Sequence, residues 1–65
     1  MKVTINGELR EVTSRTLADL LQEVGYGSIV VATAVNEEFV PVSARAQREL
    51  SAGDVIEVLS PMQGG

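Results

Sequence analysis

Cysteine and histidine are both absent from the 65 residues. Without cysteine there is no disulfide framework, no thiolate zinc site and no thiol nucleophile. Without histidine the commonest general base and metal ligand is missing. Positive charge is scarce as well: five Lys and Arg stand against nine Asp and Glu, a net charge of −4. So acidic a chain is poorly suited to phosphate backbones, and nucleic acid is not expected as a partner. Charge would steer it toward a basic protein surface, or serve solubility alone. Long apolar runs are lacking too. The longest, Ile29 to Val35, is interrupted by Thr33 and falls far short of the ~20 residues a membrane span requires. Lys2, Thr4 and Asn6 break up the N-terminal segment, so no signal peptide is expected and the cytoplasm is the expected location.

What is present is enough for one small core. The apolar fraction is 45%, ordinary for a globular domain and too high for disorder. A chain of this size has room for one domain and buries only about 60% of the surface its unfolded form exposes.

The pattern along the chain is legible in pieces. Lys2 to Asn6 alternates, with Val3 and Ile5 on one face, which predicts a half-buried strand. Asn6-Gly7 suits both centres of a type I′ turn and predicts a hairpin returning through Glu8 to Val12. Leu9 and Val12 are out of phase with strict alternation, so a bulge or an early exit is expected there. Thr16 with Asp19 resembles a capping box, and Leu17, Leu20, Leu21 and Val24 then form one helical stripe. Gly25 is placed to end that helix.

Ile29 to Val35 is rich in β-branched residues and reads as a strand, although either alternating set could face inward. Asn36-Glu37-Glu38 reads as a turn, and Phe39-Val40 as a short strand stopped by Pro41. Adjacent carboxylates at Glu37 and Glu38 suggest a solvated turn tip rather than a metal or acid–base site. Ser43 is expected to cap a helical turn over residues 44–50, with Ala46 and Leu50 sharing a face and Arg45 and Arg48 exposed. After a turn at Ser51 to Asp54, Val55 to Ser60 is the last strand. Ile56 and Val58 share one face; Val55, Glu57 and Leu59 share the other. If the helix covers the first, the second is a candidate partner-docking patch. A strand covered on both faces is the alternative.

One amphipathic helix cannot bury itself, so a mixed sheet of four to five strands with the helix packed on one face is the economical α+β solution. That order, closed by Gly64-Gly65, resembles the β-grasp fold of ubiquitin-like proteins. The opening Val3-Thr4-Ile5-Asn6-Gly7-Glu8, the segment from Ala34 to Pro41 and the ending from Gly53 to Gly65 resemble the ThiS family of sulfur carriers, part of the wider ThiS/MoaD group. The likeness covers nearly the whole chain. It departs after Pro41, where Val42 and Arg45 or Ala46 stand in place of the basic and aromatic residues common in ThiS chains. The expected division is a body over 1–60 and an extended tail over 61–65.

The resemblance implies a function in thiamine biosynthesis for a chain that is no enzyme itself. The Gly65 carboxylate would be adenylated by a ThiF-like adenylyltransferase and converted to a thiocarboxylate that gives its sulfur to a ThiG-like thiazole synthase. ATP and the sulfur donor would be used by the activating enzyme, with no cofactor bound by this chain. The tail Pro61, Met62, Gln63 and Gly64 would enter the partner's active site, and the chain would be a monomer when free.

The residues suit those roles. Glycine has no Cβ to crowd an acyl-transfer centre. Five extended residues reach about 16–18 Å. Pro61 favours an extended exit, or merely ends the strand, and Met62 offers an adaptable apolar contact. Two rival readings stay open: a carrier for another route (molybdopterin, tRNA thiolation or cysteine synthesis), or a β-grasp interaction module whose glycines have no chemical role.

Overall fold

A computed structural model describes residues 1–60. Seven elements follow in order: β1 (Lys2–Ile5), β2 (Glu8–Glu11), α1 (Leu17–Glu23), β3 (Ala32–Val35), β4 (Glu38–Val40), a 3-10 turn (Val42–Ala44) and β5 (Val55–Leu59). The sheet runs β2-β1-β5-β3-β4. β5 lies parallel to β1 and antiparallel to β3, with an antiparallel hairpin on each flank. The last strand in sequence is thus the middle strand in space, inserted between the two hairpins.

Both hairpins turn on asparagine. Asn6 (φ 51°) and Gly7 (φ 84°) make the first two-residue loop, Asn36 (φ 52°) and Glu37 (φ 70°) the second. These left-handed angles match the right-handed twist of the flanking strands. Glu38 accordingly opens β4 and is not part of the turn. The first hairpin pairs in regular register, from Lys2 opposite Glu11 to Ile5 opposite Glu8. It contains no bulge: β2 ends at Glu11, and Val12 turns inward beyond it, nearly inaccessible to solvent. The early exit, of the two outcomes the phase slip allowed, is the one found.

Thr16 caps α1, its Oγ1 accepting from the Asp19 N–H at 3.2 Å. Gly25 follows with φ 97°. Leu17, Leu20 and Leu21 are buried and Val24 is half-buried. Burial of the three leucines contributes up to about 4–9 kcal/mol. They meet Val3, Ile5, Val35, Val40, Ile56 and Val58 from the sheet, with Val12, Val31 and Leu50 closing the core.

Two stretches differ from expectation. Only Ala32–Val35 of the β-branched run is strand; Ile29 and Val30 precede it and are exposed. Val31, Thr33 and Val35 face inward. The second difference is the turn after Pro41, which begins at Val42 rather than at Ala44 and has no side-chain cap. Pro41 itself takes the N-cap position, and Ala44, not Ala46, packs on the core.

Arg45 and Arg48 are half-buried rather than exposed. Thr33, buried in the sheet, donates its hydroxyl to the Val40 carbonyl at 2.9 Å. Arg45 completes that polar site, donating Nε to Thr33 Oγ1 (3.1 Å) and Nη2 to the Val31 carbonyl (2.6 Å). A buried hydroxyl and a carbonyl left over where β3 begins need partners, and the long Arg45 side chain supplies them. Arg48 pairs with Glu38 at 2.9 Å.

Candidate docking face

The helix covers one side of the sheet, and the alternation in β5 decides what the other side shows. Ile56 and Val58 are buried; Val55, Glu57 and Leu59 point away from the helix and are exposed. Leu59 keeps 69% of its surface open to solvent and Val55 43%. The three residues singled out in β5 therefore lie together on the open face.

Strand register brings further residues to the same face. Thr4 lies between Val55 and Leu9, being the register partner of both. Ala34 lies between Glu57 and Phe39, and Ala32 lies opposite Leu59. Leu9 and Phe39 are 64% and 66% exposed. Four large apolar side chains from β2, β4 and β5 thus stand on one side of the sheet, separated by the small residues Thr4, Ala32 and Ala34. That grouping is more than the scattered exposed leucine of an ordinary surface.

Leu9 and Phe39 were not singled out in the sequence. Leu9 could have been found, because a two-residue Asn-Gly loop fixes Thr4 opposite Leu9 once Val3 and Ile5 point inward. Phe39 needed the inward set of β3, which the sequence pattern leaves undecided.

The charges on this face are Lys2 and Glu11, opposite one another, and Glu57 between Val55 and Leu59. At the end where β5 begins, Asn36, Glu37, Val55 and Glu57 line a shallow hollow of about 310 Å³. A carboxylate pair beside apolar side chains is complementary to a partner surface that is apolar with a basic rim. A larger hollow, about 550 Å³, lies under the N-terminus between Thr13, Ser14, Arg15, Thr16 and Glu49 and includes none of these face residues.

Among the described residues no group of three or more carboxylates could hold a metal ion. Among the described residues, Glu23 is held below its usual pKa because Ser14 donates its hydroxyl to it, joined by the Thr13 N–H. Both backbone N–H groups of Thr13 and Ser14 point at this carboxylate, at 3.1–3.2 Å. It fastens the loop between β2 and α1 to the end of the helix. Among the described residues no helix is long and apolar enough to cross a membrane.

The remaining residues expected to act, Pro61, Met62, Gln63, Gly64 and Gly65, lie outside the described residues. The body ends at Ser60, directly after Leu59 on β5.

Comparison with known proteins bears on both parts. The model of the ThiS family matches residues 3–65, so the match runs through Gly64 and Gly65. A sulfur carrier protein ThiS from Thermus thermophilus is 41% identical over 63 residues, covering 97% of this chain and 98% of that protein. A thiazole synthase from Paramagnetospirillum magneticum is 42% identical over 66 residues, covering all of this chain but only 20% of the synthase. A crystal structure of a thiamine biosynthesis protein (ThiS) from Geobacter metallireducens superimposes with a TM-score of 0.84 at 26% identity, with both chains covered completely. A solution structure of a thiamine biosynthesis protein from the same organism gives 0.79, covering all of this chain and 88% of that one.

Proposed function

The chain belongs to the ThiS family, and on that premise we propose that it is the sulfur carrier of thiamine biosynthesis, acting through the Gly65 carboxylate. The observation that carries this reading is the family match through residue 65. It joins a Gly-Gly tail to a body whose last strand presents an exposed apolar face one residue before the tail's root.

The chemistry asked of the tail is activation of a carboxylate, which by itself has no adequate leaving group. A Gly65 carboxylate oxygen attacks the α-phosphorus of ATP. A P–O bond forms and pyrophosphate departs with the electron pair, leaving an acyl-adenylate. Hydrosulfide then adds to the acyl carbon. The tetrahedral centre collapses, AMP leaves with the C–O electron pair, and loss of a proton gives the thiocarboxylate. The second step makes the terminal carbon tetrahedral, and a residue with no Cβ hinders it least.

The body supplies no acid, base or metal for these steps. It is a protein-sized co-substrate whose work is recognition. Its activating partner is an adenylyltransferase resembling ThiF, which docks on Val55, Glu57 and Leu59 while Pro61 to Gly64 lead Gly65 to the ATP. The receiver of the sulfur is a thiazole synthase. The relative in which a similar domain makes up a fifth of a protein named thiazole synthase supports that pairing.

The test is intact-mass measurement after incubation with the activating enzyme, ATP and sulfide. The expected product is the chain with one oxygen replaced by sulfur. An unchanged mass, under conditions that load a known carrier, refutes the carrier reading and leaves a plain interaction module. A loaded chain refused by thiazole synthase and accepted by an enzyme of another sulfur route would reassign the pathway.

A further inference from the structure

The parallel ladder between β1 and β5 is short, and it stops before β5 does. The Thr4 N–H donates to the Asp54 carbonyl and the Asn6 N–H to the Ile56 carbonyl, each at 2.9 Å. In a parallel pair the next bond would run from the Val58 N–H to the Asn6 main-chain carbonyl. At Asn6, however, β1 turns away into the Asn6-Gly7 loop.

The Asn6 side chain completes the ladder. Its Oδ1 accepts from the Val58 N–H at 2.8 Å, and its Nδ2 donates to the Val58 carbonyl at 3.1 Å. One carboxamide thus stands in for a missing strand residue and satisfies both main-chain groups of Val58, 52 residues away in sequence. On the other flank, β3 pairs with β5 as far as Ala32 opposite Leu59. The end of β5 is held on one side by a strand and on the other by a single side chain.

Building on the carrier reading, we infer that Asn6 is a positioning residue for tail activation. By fixing Val58 it fixes the point and direction at which the chain leaves the sheet after Leu59. Asparagine serves both needs of this position. It tolerates the left-handed φ of 51° that the turn demands, and its amide carries the donor and acceptor that Val58 needs. Asn36 does the corresponding work at the start of the strand, accepting from the Val55 N–H at 2.9 Å from its own left-handed position. Each hairpin turn therefore also secures an end of the central strand.

Asn6→Gly tests this, because glycine keeps the turn geometry and removes only the amide. Thr16→Ala is the comparison: it removes the helix cap, a loss of similar size, at a site away from β5. The readouts are amide hydrogen exchange at Val58 and ATP–pyrophosphate exchange with the activating enzyme, well below the melting temperature. Asn6→Gly is expected to speed exchange at Val58 by about fivefold or more beyond any global change. Its kcat for adenylation should fall about tenfold with KM changed less than about twofold, since the docking face is intact. Thr16→Ala should leave kcat unchanged. Equal kcat for wild type and Asn6→Gly, or an equal fall in Thr16→Ala, overturns the role given to Asn6 while the carrier reading stands. A wild-type chain that is never adenylated overturns the carrier reading and this inference with it.

Discussion

Leu59→Asp separates docking from folding, because the structure assigns most of the Leu59 surface to neither core nor neighbours. A fully buried leucine is worth about 1.5–3 kcal/mol. With 69% of its surface open, the share already used in folding is about 0.5–1 kcal/mol, and about 1–2 kcal/mol is left for a partner that covers it. The variant should therefore lose about 1 kcal/mol of stability, read as a fall in melting temperature of less than about 8 °C. Affinity for the activating enzyme should fall more. The lost apolar contact alone is worth roughly 5–30-fold, and a carboxylate placed beside Glu57 and desolvated on docking adds to it.

Ile56→Ala, three residues earlier on the opposite face, calibrates the measurement. Ile56 is wholly buried, so its truncation should cost about 2–5 kcal/mol. That is a large part of the roughly 3–10 kcal/mol a domain of this size has, with affinity per folded molecule preserved. Urea denaturation and calorimetric titration of both variants make the assay. A Leu59→Asp variant that unfolds while Ile56→Ala remains stable would mean the faces of β5 are reversed. Undiminished affinity would mean that the partner docks elsewhere.

Deleting Gly65, or adding one residue after it, should abolish sulfur loading in the intact-mass assay and leave the melting temperature within about 1 °C, since no core residue changes; a truncated chain that still loads refutes the assignment. Arg45→Ala should cost about 2 kcal/mol by removing charge-assisted bonds to Thr33 and the Val31 carbonyl; denaturation midpoints equal to wild type would show these bonds to be dispensable. Glu23→Gln tests the loop fastening through pH. The Glu23 pKa is depressed from 4.5 in the folded chain, so its contribution is present above pH 4.5 and is lost as pH falls through the folded value. Melting temperatures of wild type and Glu23→Gln should differ at pH 7 and converge on acidification; a constant gap down to pH 3 would contradict this.

Wherever one residue's neighbours in sequence are also its neighbours in space, the sequence alone determined the outcome. The Asn6-Gly7 turn, the Thr16 cap, the leucine stripe of α1 and the alternation of β5 are of this kind, since a period of 2 or 3.6 and a left-handed angle are written within a few residues.

Tertiary structure decided the rest. In the run from Ile29 to Val35 both alternating sets are apolar or nearly so, so only packing could turn Val31, Thr33 and Val35 inward and confine the strand to its last four residues. Arg45 reads as a surface charge until Thr33 is buried beside it with a carbonyl unspent. Leu9 and Phe39 join Val55 and Leu59 because the sheet inserts its last strand between two hairpins. The Asn6 amide finds Val58 for the same reason. A pattern read along the chain carries no information about which strand arrives alongside it, and the register that unites this face is set by that arrival.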